Sequence, residues 1–335
     1  MTLLVRIFAL TVVILAAVPA FALAQCEQGE KVLRLGVSND DVATATGRLG
    51  KEIRTEFQRS LNGKACVEII ADTKIANGEG LLQSVSKEAE EFAAAVVPFS
   101  ELGNRAPLFN IVSLPFAFDH EHSAKRFVSG LKPTDWRITG ADGAKPLSIA
   151  WFGLDQVVAR LPLLMPEDVV GLKFPRTDRF TDTMLAELKA VQPDIPPAER
   201  AAALADGRFD GSTGNLVELG QRKTTSPLAK IVRTNHMLKG ALIALSERHL
   251  SVLPAELAEQ VETTFRSGVE KFNQAEERRE ATARRQLRSN GNAVYVLTRK
   301  QRNAWRAAVA PLRKSVEEDA AHAALLNAVK QANRF

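Results

Sequence analysis

Few side chains in this 335-residue chain are grouped so that they could do chemistry, and each group has a plainer reading beside it. Asp119-His120-Glu121-His122 sets two imidazoles two residues apart among carboxylates, the donor types of a divalent-metal site. On a strand both rings would share a face. This run opens a helix instead, where positions i and i+2 point about 200° apart, so it reads as a polar first turn with acids favoured by the helix dipole. Asp210-Gly211-Ser212-Thr213-Gly214 has the look of a nucleophile elbow but lacks the leading glycine of G-x-S-x-G, and reads as a turn lining a cleft. The sequence has no glycine-rich phosphate loop, no H-E-x-x-H and no Cys–His nucleophile pairing. His236 and His249 are isolated, which suits packing or capping better than proton transfer. No catalytic residue, metal ligand or cofactor is assigned, and a non-enzyme is expected.

The elements around these residues alternate strand and helix. Val32–Val37 predicts a strand, Thr44–Leu61 a helix with Leu49, Ile53, Phe57 and Leu61 at helical spacing, and Cys66–Ala71 a second strand after the Gly63 stop. Gly80–Glu91 reads as a helix and Phe92–Val97 as a buried strand, so the order βαβαβ implies a parallel sheet with helices on both faces. Asp119 is read as the N-cap of a helix over His120–Gly130, and Pro146–Phe152 as a strand leading to a second lobe. Pro166–Phe174 reads as a capped turn entering a strand. Ala205–Gly211 reads as a helix stopped by Gly207 and feeding another strand, so the two pieces form one right-handed crossover unit. After Thr234-Asn235-His236 comes an apolar strand, Gly240–Leu245. Leu257, Val261, Phe265, Val269 and Phe272 then mark one face of a helix running from Leu253-Pro254 to about Arg288, long enough to brace two lobes. Asn290-Gly291-Asn292 is a turn, Ala293–Leu297 a strand, and Thr298 caps the next helix.

Charge and ends narrow the class. The 44 Lys and Arg exceed the 39 Asp and Glu by five, spread along the chain without a basic block or a DNA-binding motif, so nucleic acid is excluded as a partner. Arg6, the apolar run Ile7–Phe21 and Ala22-Leu23-Ala24 read as a signal peptide over 1–24. A membrane anchor is the competing reading; Pro19 and the small-x-small end favour cleavage, and Gln25 is too large for a lipobox before Cys26. Cys26 and Cys66 precede and open neighbouring parallel strands, which would bring their sulfurs together as a disulfide in an oxidising compartment; two unpaired buried thiols are the alternative.

Several motifs together resemble the solute-binding proteins of TRAP transporters. Pro166-Glu167-Asp168-Val169-Val170-Gly171-Leu172-Lys173-Phe174 is similar to the family's "PEDLKGLKIR", and Arg208-Phe209-Asp210-Gly211 to its "GxVDG". Leu114-Pro115-Phe116-Ala117-Phe118-Asp119 and the order of elements from Leu253 to Trp305 extend the resemblance over nearly the whole mature chain. The resemblance implies an α/β, two-lobed periplasmic-binding-protein fold with a long spanning helix, closing on a solute by a hinge. Lobe I is expected over 25–152 and 239–278, lobe II over 153–238 and 279–335. It further implies a periplasmic receptor that passes a small polar solute, an organic acid among the options, to TRAP membrane subunits, as monomer or dimer. A receptor for a membrane sensor kinase is the alternative.

The resemblance breaks at the ligand. Relatives commonly hold a carboxylate with an arginine after "GLKI"; here that position is Pro175, and Arg176 follows one residue later. On a strand that shift reverses the side chain, while the proline could bend it back, so both orientations stay open. A second family arginine, after the hinge strand's "G-x", is replaced in Gly153-Leu154-Asp155. An Asp155 facing the cleft would repel an anion and favour an amine or hydroxyl-rich solute. The expected cleft residues are Asn39, Phe99, Trp151, Asp155, Arg176, Thr213 and Asn215, placed mostly at strand ends facing a crevice.

Overall fold

The computed structural model describes residues 26–71, 78–87, 91–102, 105–131, 136, 138–221, 230–317 and 322–334. The leader expected at 1–24 lies outside them. Among the described residues no helix is long and apolar enough to cross a membrane.

Strands β1 (Lys31–Val37), β2 (Ala65–Ala71) and β3 (Ala94–Pro98) pair in parallel around β1, as the alternating order implied. Helix α1 (Ala45–Ser60) begins where the Thr44 hydroxyl accepts from the Gly47 amide, and it buries Leu49, Ile53 and Phe57. Helix α2 (Gly78–Gln83) is shorter than the expected Gly80–Glu91. Ser84 donates back to the Leu81 carbonyl, and the Lys87 amide is taken by Asp142, so the described chain turns away after one and a half turns. Residues 88–90 of that expected helix lie outside the described residues.

The parallel register sets Val32 against Cys66, and Cys26 and Cys66 form the expected disulfide with Cα atoms 5.7 Å apart. Closing a loop of 40 residues restricts the unfolded chain. By the chain-entropy relation the Cys26→Ser/Cys66→Ser variant is expected to lose about 4 kcal/mol, read as a lower urea midpoint. An unchanged midpoint would mean that the cross-link constrains nothing that unfolding releases.

Helices α3 (Pro107–Val112) and α4 (Glu121–Gly130) follow. Asp119 does not cap α4: its carboxylate is engaged by Arg306, and His120 occupies the cap position without a side-chain bond. The expected strand at Pro146–Phe152 is the first half of β4 (Ala144–Ala159). After it come α5 (Arg179–Glu187), α6 (Arg200–Ala205), β5 (Gly211–Asn215), α7 (Leu216–Gln221) and β6 (Lys230–Ser246), which absorbs the expected Gly240–Leu245. Helix α8 (Glu247–Ser251) leads to the 35-residue spine α9 (Ala255–Ser289), then β7 (Ala293–Val296) and α10 (Arg299–Ala308), capped by Thr298 as expected. Helices α11 (Ala310–Glu317) and α12 (Ala323–Ala332) end the described chain.

The crossover unit expected over 166–211 does not form. Pro166–Val169 is a 3-10 turn, and residues 171–175 contribute one isolated bridge, Lys173 with Val191. Pro175 has no amide to continue a ladder. The second piece, β5, runs antiparallel to β4, with Asp155 opposite Asn215. The sheet order is β2-β1-β3-β6-β4-β5, with β7 on the free half of β6.

Two strands therefore tie the molecule together. Leu147, Ala150 and Phe152 of β4 enter a core with α1 and α9, and Ile149, Trp151 and Leu154 enter one with α2, α3 and α4. Further along, Val157 and Ala159 join a third core around Phe174, Met184 and Trp305. Strand β6 changes cores between Val232 and Leu238. At this level β4 has a register shift at Gly153, with φ +98°, and β6 bends at Asn235, with φ +48°. Left-handed residues and bulges bend a strand and locally interrupt its ladder. The last helix folds back, placing Leu326 and Val329 in the core that holds Phe118 and Phe127.

Candidate functional site

Where β4 and β6 change cores, a cavity of about 70 Å³ lies between Phe99, Ser113, Phe152, Phe180 and Lys239. Lys239 stands in an otherwise apolar stretch of β6, and a cation there must find partners. Its ammonium donates to the Asp178 carboxylate and to Thr181 Oγ1 at 3.0 Å, with Asp155 Oδ2 3.5 Å away. A third donor points to Met237 Sδ at 3.4 Å, so Asp155 is an ion-pair neighbour of the ammonium. Asp178 is itself the N-cap of α5, accepting from the amides of Phe180 at 3.1 Å and Thr181 at 3.2 Å. Sequence reasoning missed both Lys239 and Asp178. The available signal was a lysine inside an apolar strand together with an Asp-x-x-Thr cap.

The three charges are unequal. Burial opposes ionisation of Asp178, but Lys239 and the bonds from Thr181 outweigh it and hold the carboxyl below its usual range. Burial likewise opposes the Lys239 charge, yet Asp155 and Asp178 together raise its affinity for the proton. Asp155 is pushed up to about 7, by burial first and then by Glu218 and Asp178, against the pull of Lys239. Near neutral pH the cluster passes between net zero and one negative charge. Within the cluster the lysine charge is matched by Asp178.

A stability prediction follows from Asp155. Folded, it keeps its proton up to about pH 7, whereas the unfolded chain releases it in the ordinary aspartate range, so folding takes up a proton between those limits. Its ionisation is thus a penalty that grows as pH rises. Asp155→Asn should gain on the parent chain progressively from pH 4 to pH 7, by up to roughly 4 kcal/mol, and then level off. Urea unfolding of both proteins across that range checks this, and a pH-independent difference sinks it.

The other expected cleft residues divide. Phe99 is buried, stacks on Phe109 with ring centres 4.7 Å apart, and lines the cavity. Thr213 and Asn215 are buried on β5 opposite Val157 and Asp155, but Asn215 Oδ1 accepts the Glu218 amide at 3.0 Å and so caps α7. Trp151 is buried where β4 changes cores, its amide bonded to Asn273 on α9 and Lys125 5.8 Å over its ring. Asn39 is exposed in the turn after β1, closing a bond with the Asp41 amide. Arg176 does not join the cluster: half exposed, it pairs with Asp182 at 3.6 Å, as the one-residue shift past Pro175 allowed. Arg179, one residue beyond Asp178, instead bonds Asn110 of α3 and joins the two sides of the cleft. His236 is fully buried, with Nδ1 2.8 Å from Thr234 Oγ1, and burial pushes it down to about 3, so it is a neutral packed ring.

A family description, bacterial extracellular solute-binding protein family 7, matches residues 40–319. The chain belongs to that family. The C4-dicarboxylate-binding periplasmic protein DctP of Vibrio cholerae is 25% identical over 329 residues, 96% of each chain. Among solved structures, a TRAP periplasmic solute binding protein from Ralstonia eutropha with bound (S)-2-acetolactate aligns with TM-score 0.78 at 15% identity, covering 92% of this chain and 99% of its own. One from Shewanella oneidensis with bound succinate gives 0.75 at 16%, covering 91% and 99%. These likenesses carry the two-lobed fold. As a member of a family of solute receptors, the chain is a binding protein and not an enzyme.

Proposed function

We propose that this family member is the extracytoplasmic receptor of a TRAP-type transporter. It captures a small polar solute between its lobes and delivers it to the membrane subunits, after export directed by residues 1–24. The observation that carries the reading is a cavity whose walls come from both sides of the β4–β6 pivot, in a chain matched to the family over residues 40–319. In this reading 25–152 and 239–278 form lobe I, with α12 folded onto it, and the remainder forms lobe II. Phe99, Asp155, Thr213 and Asn215 lie on or beside the closing faces, with Trp151 at the pivot and Asn39 and Arg176 on the rim.

The two solved structures named above hold succinate and acetolactate, so a small organic acid is the starting class. This chain alters the anchor, because the lysine charge at the cavity is matched by Asp178 with Asp155 beside it. The end of the solute that meets this cluster is accordingly a hydroxyl or an amine, and any acid group lies at the far end. The test is a thermal-shift screen of the mature protein against dicarboxylates, hydroxy acids, amines, amino acids and sugars. A ligand at a hundredfold excess over its Kd adds about 2.7 kcal/mol to the folded state. Saturable shifts with hydroxylated or amine solutes but not succinate support the reading; a response to simple dicarboxylates alone overturns the altered anchor. A panel without any response counts against solute capture.

A further inference from the structure

A second cavity, of about 460 Å³, lies on the α9 side between α4 and the strand–helix unit β6, β7 and α10. It is lined by His120, His122 and Lys125 from one side and by Arg233, Arg284 and Arg302 from the other, with three acids among them. Those acids are already engaged. Glu121 takes both Arg284 and Lys125, Glu277 takes Lys125, and Asp119 takes Arg306 from outside the cavity wall. Arg284 also binds Glu280.

Two guanidiniums have no carboxylate in direct contact among the described residues. Arg233 forms no ion pair among the described residues, and its Nε is buried without a hydrogen-bond partner. Arg302 spends one nitrogen on the Thr234 carbonyl at 2.9 Å and meets no carboxylate within ion-pair distance among the described residues. Burial lowers the proton affinity of both; Arg284 and Arg288 press further on Arg233 against the pull of Glu121 and Glu280, and Arg306 and Arg233 press on Arg302 against the pull of Asp119. Half-buried guanidiniums with no carboxylate in ion-pair contact are costly to desolvate, whereas their planar forks match the two oxygens of a carboxylate or phosphate. The α4 N-terminus opens onto the same cavity and adds a partial positive charge.

We propose that this cavity is a second binding site, for a small oxyanion of the polycarboxylate or phosphate type held by Arg233 and Arg302. It is separate from the cleft beside Lys239 and does not depend on how that cleft is read. The test is isothermal titration of the mature protein with citrate and, separately, inorganic phosphate, at fixed ionic strength set with chloride. One saturable site is expected, weakened tenfold or more by Arg302→Gln and by Arg233→Gln. Val296 lines the rim at 60% exposure, so Val296→Glu tests the location without touching the core, by placing a competing carboxylate at the mouth. That variant should keep the parent melting temperature and lose the titration. Binding to citrate alone or phosphate alone identifies the anion and supports the site. No saturable heat with either anion, or binding untouched by Val296→Glu and Arg302→Gln, overturns it.

Discussion

Lys239→Met should lower stability by about 3–5 kcal/mol, because it strands Asp155 and Asp178 without their shared cation. The carboxylates cannot swing to water: Asp178 is held by two α5 amides, and Asp155 is 5% exposed. Part of the loss should be recoverable. In Lys239→Met/Asp178→Asn the amide still caps α5 weakly and one buried charge is gone, so the double variant is expected to be more stable than Lys239→Met alone. Chemical denaturation of the four proteins in the cycle gives the coupling. If the losses simply add, Lys239 is not the counter-charge that makes Asp178 tolerable, and the account of the cluster fails.

Glu276→Ala is expected to have an effect of the same size for a different reason. Arg48 of α1 grips Glu276 of α9 through Nε at 2.7 Å and Nη2 at 3.1 Å, with both side chains almost fully buried. A third bond from Arg48, to the Ala43 carbonyl at 2.8 Å, fixes the turn that follows β1. Truncating Glu276 leaves the guanidinium buried and unpaired at about 3–5 kcal/mol. Arg48→Met/Glu276→Leu should fold nearly as stably as the parent, since an apolar pair of similar volume replaces both charges. The turn bearing Asn39 should nevertheless exchange its amides faster in the double variant. Unaltered exchange there would show that Arg48 does not order the turn.

Much of the fold was legible because local signals agreed. Thr44, Gly63 and Thr298 marked element ends, the stripe from Leu257 to Phe272 marked the spine, and two cysteines at neighbouring strand starts marked the disulfide. The misreadings share one cause. Where β4 and β6 cross between cores, the buried polar residues Gln156, Thr234 and Asn235 and the half-buried Lys239 interrupt the apolar runs, so both strands looked half their length. Their partners are distant in sequence; Gln156, for instance, bonds Asn235 at 2.8 Å. The same blindness hid the Asp155–Lys239–Asp178 cluster, since no spacing along the chain announces a pairing made across a sheet. Between Pro166 and Gly211, the family-like motifs survived while Pro175 removed the strand they suggested.

The late position of β6 sets when this protein can fold. β3 closes its free edge only on Ala241–Leu245, and β4 and β7 also wait for the same strand. A chain emerging from its N-terminus thus has a two-strand parallel start and a third strand with an open edge until about 150 residues later. Loop closure over that distance delays the cooperative step and keeps early intermediates shallow. Under the export proposed above, such delay is an asset, because the sheet is completed only once Ala241–Leu245 has arrived. The cost falls afterwards, when the open edge of β3 is exposed to other chains and invites intermolecular pairing.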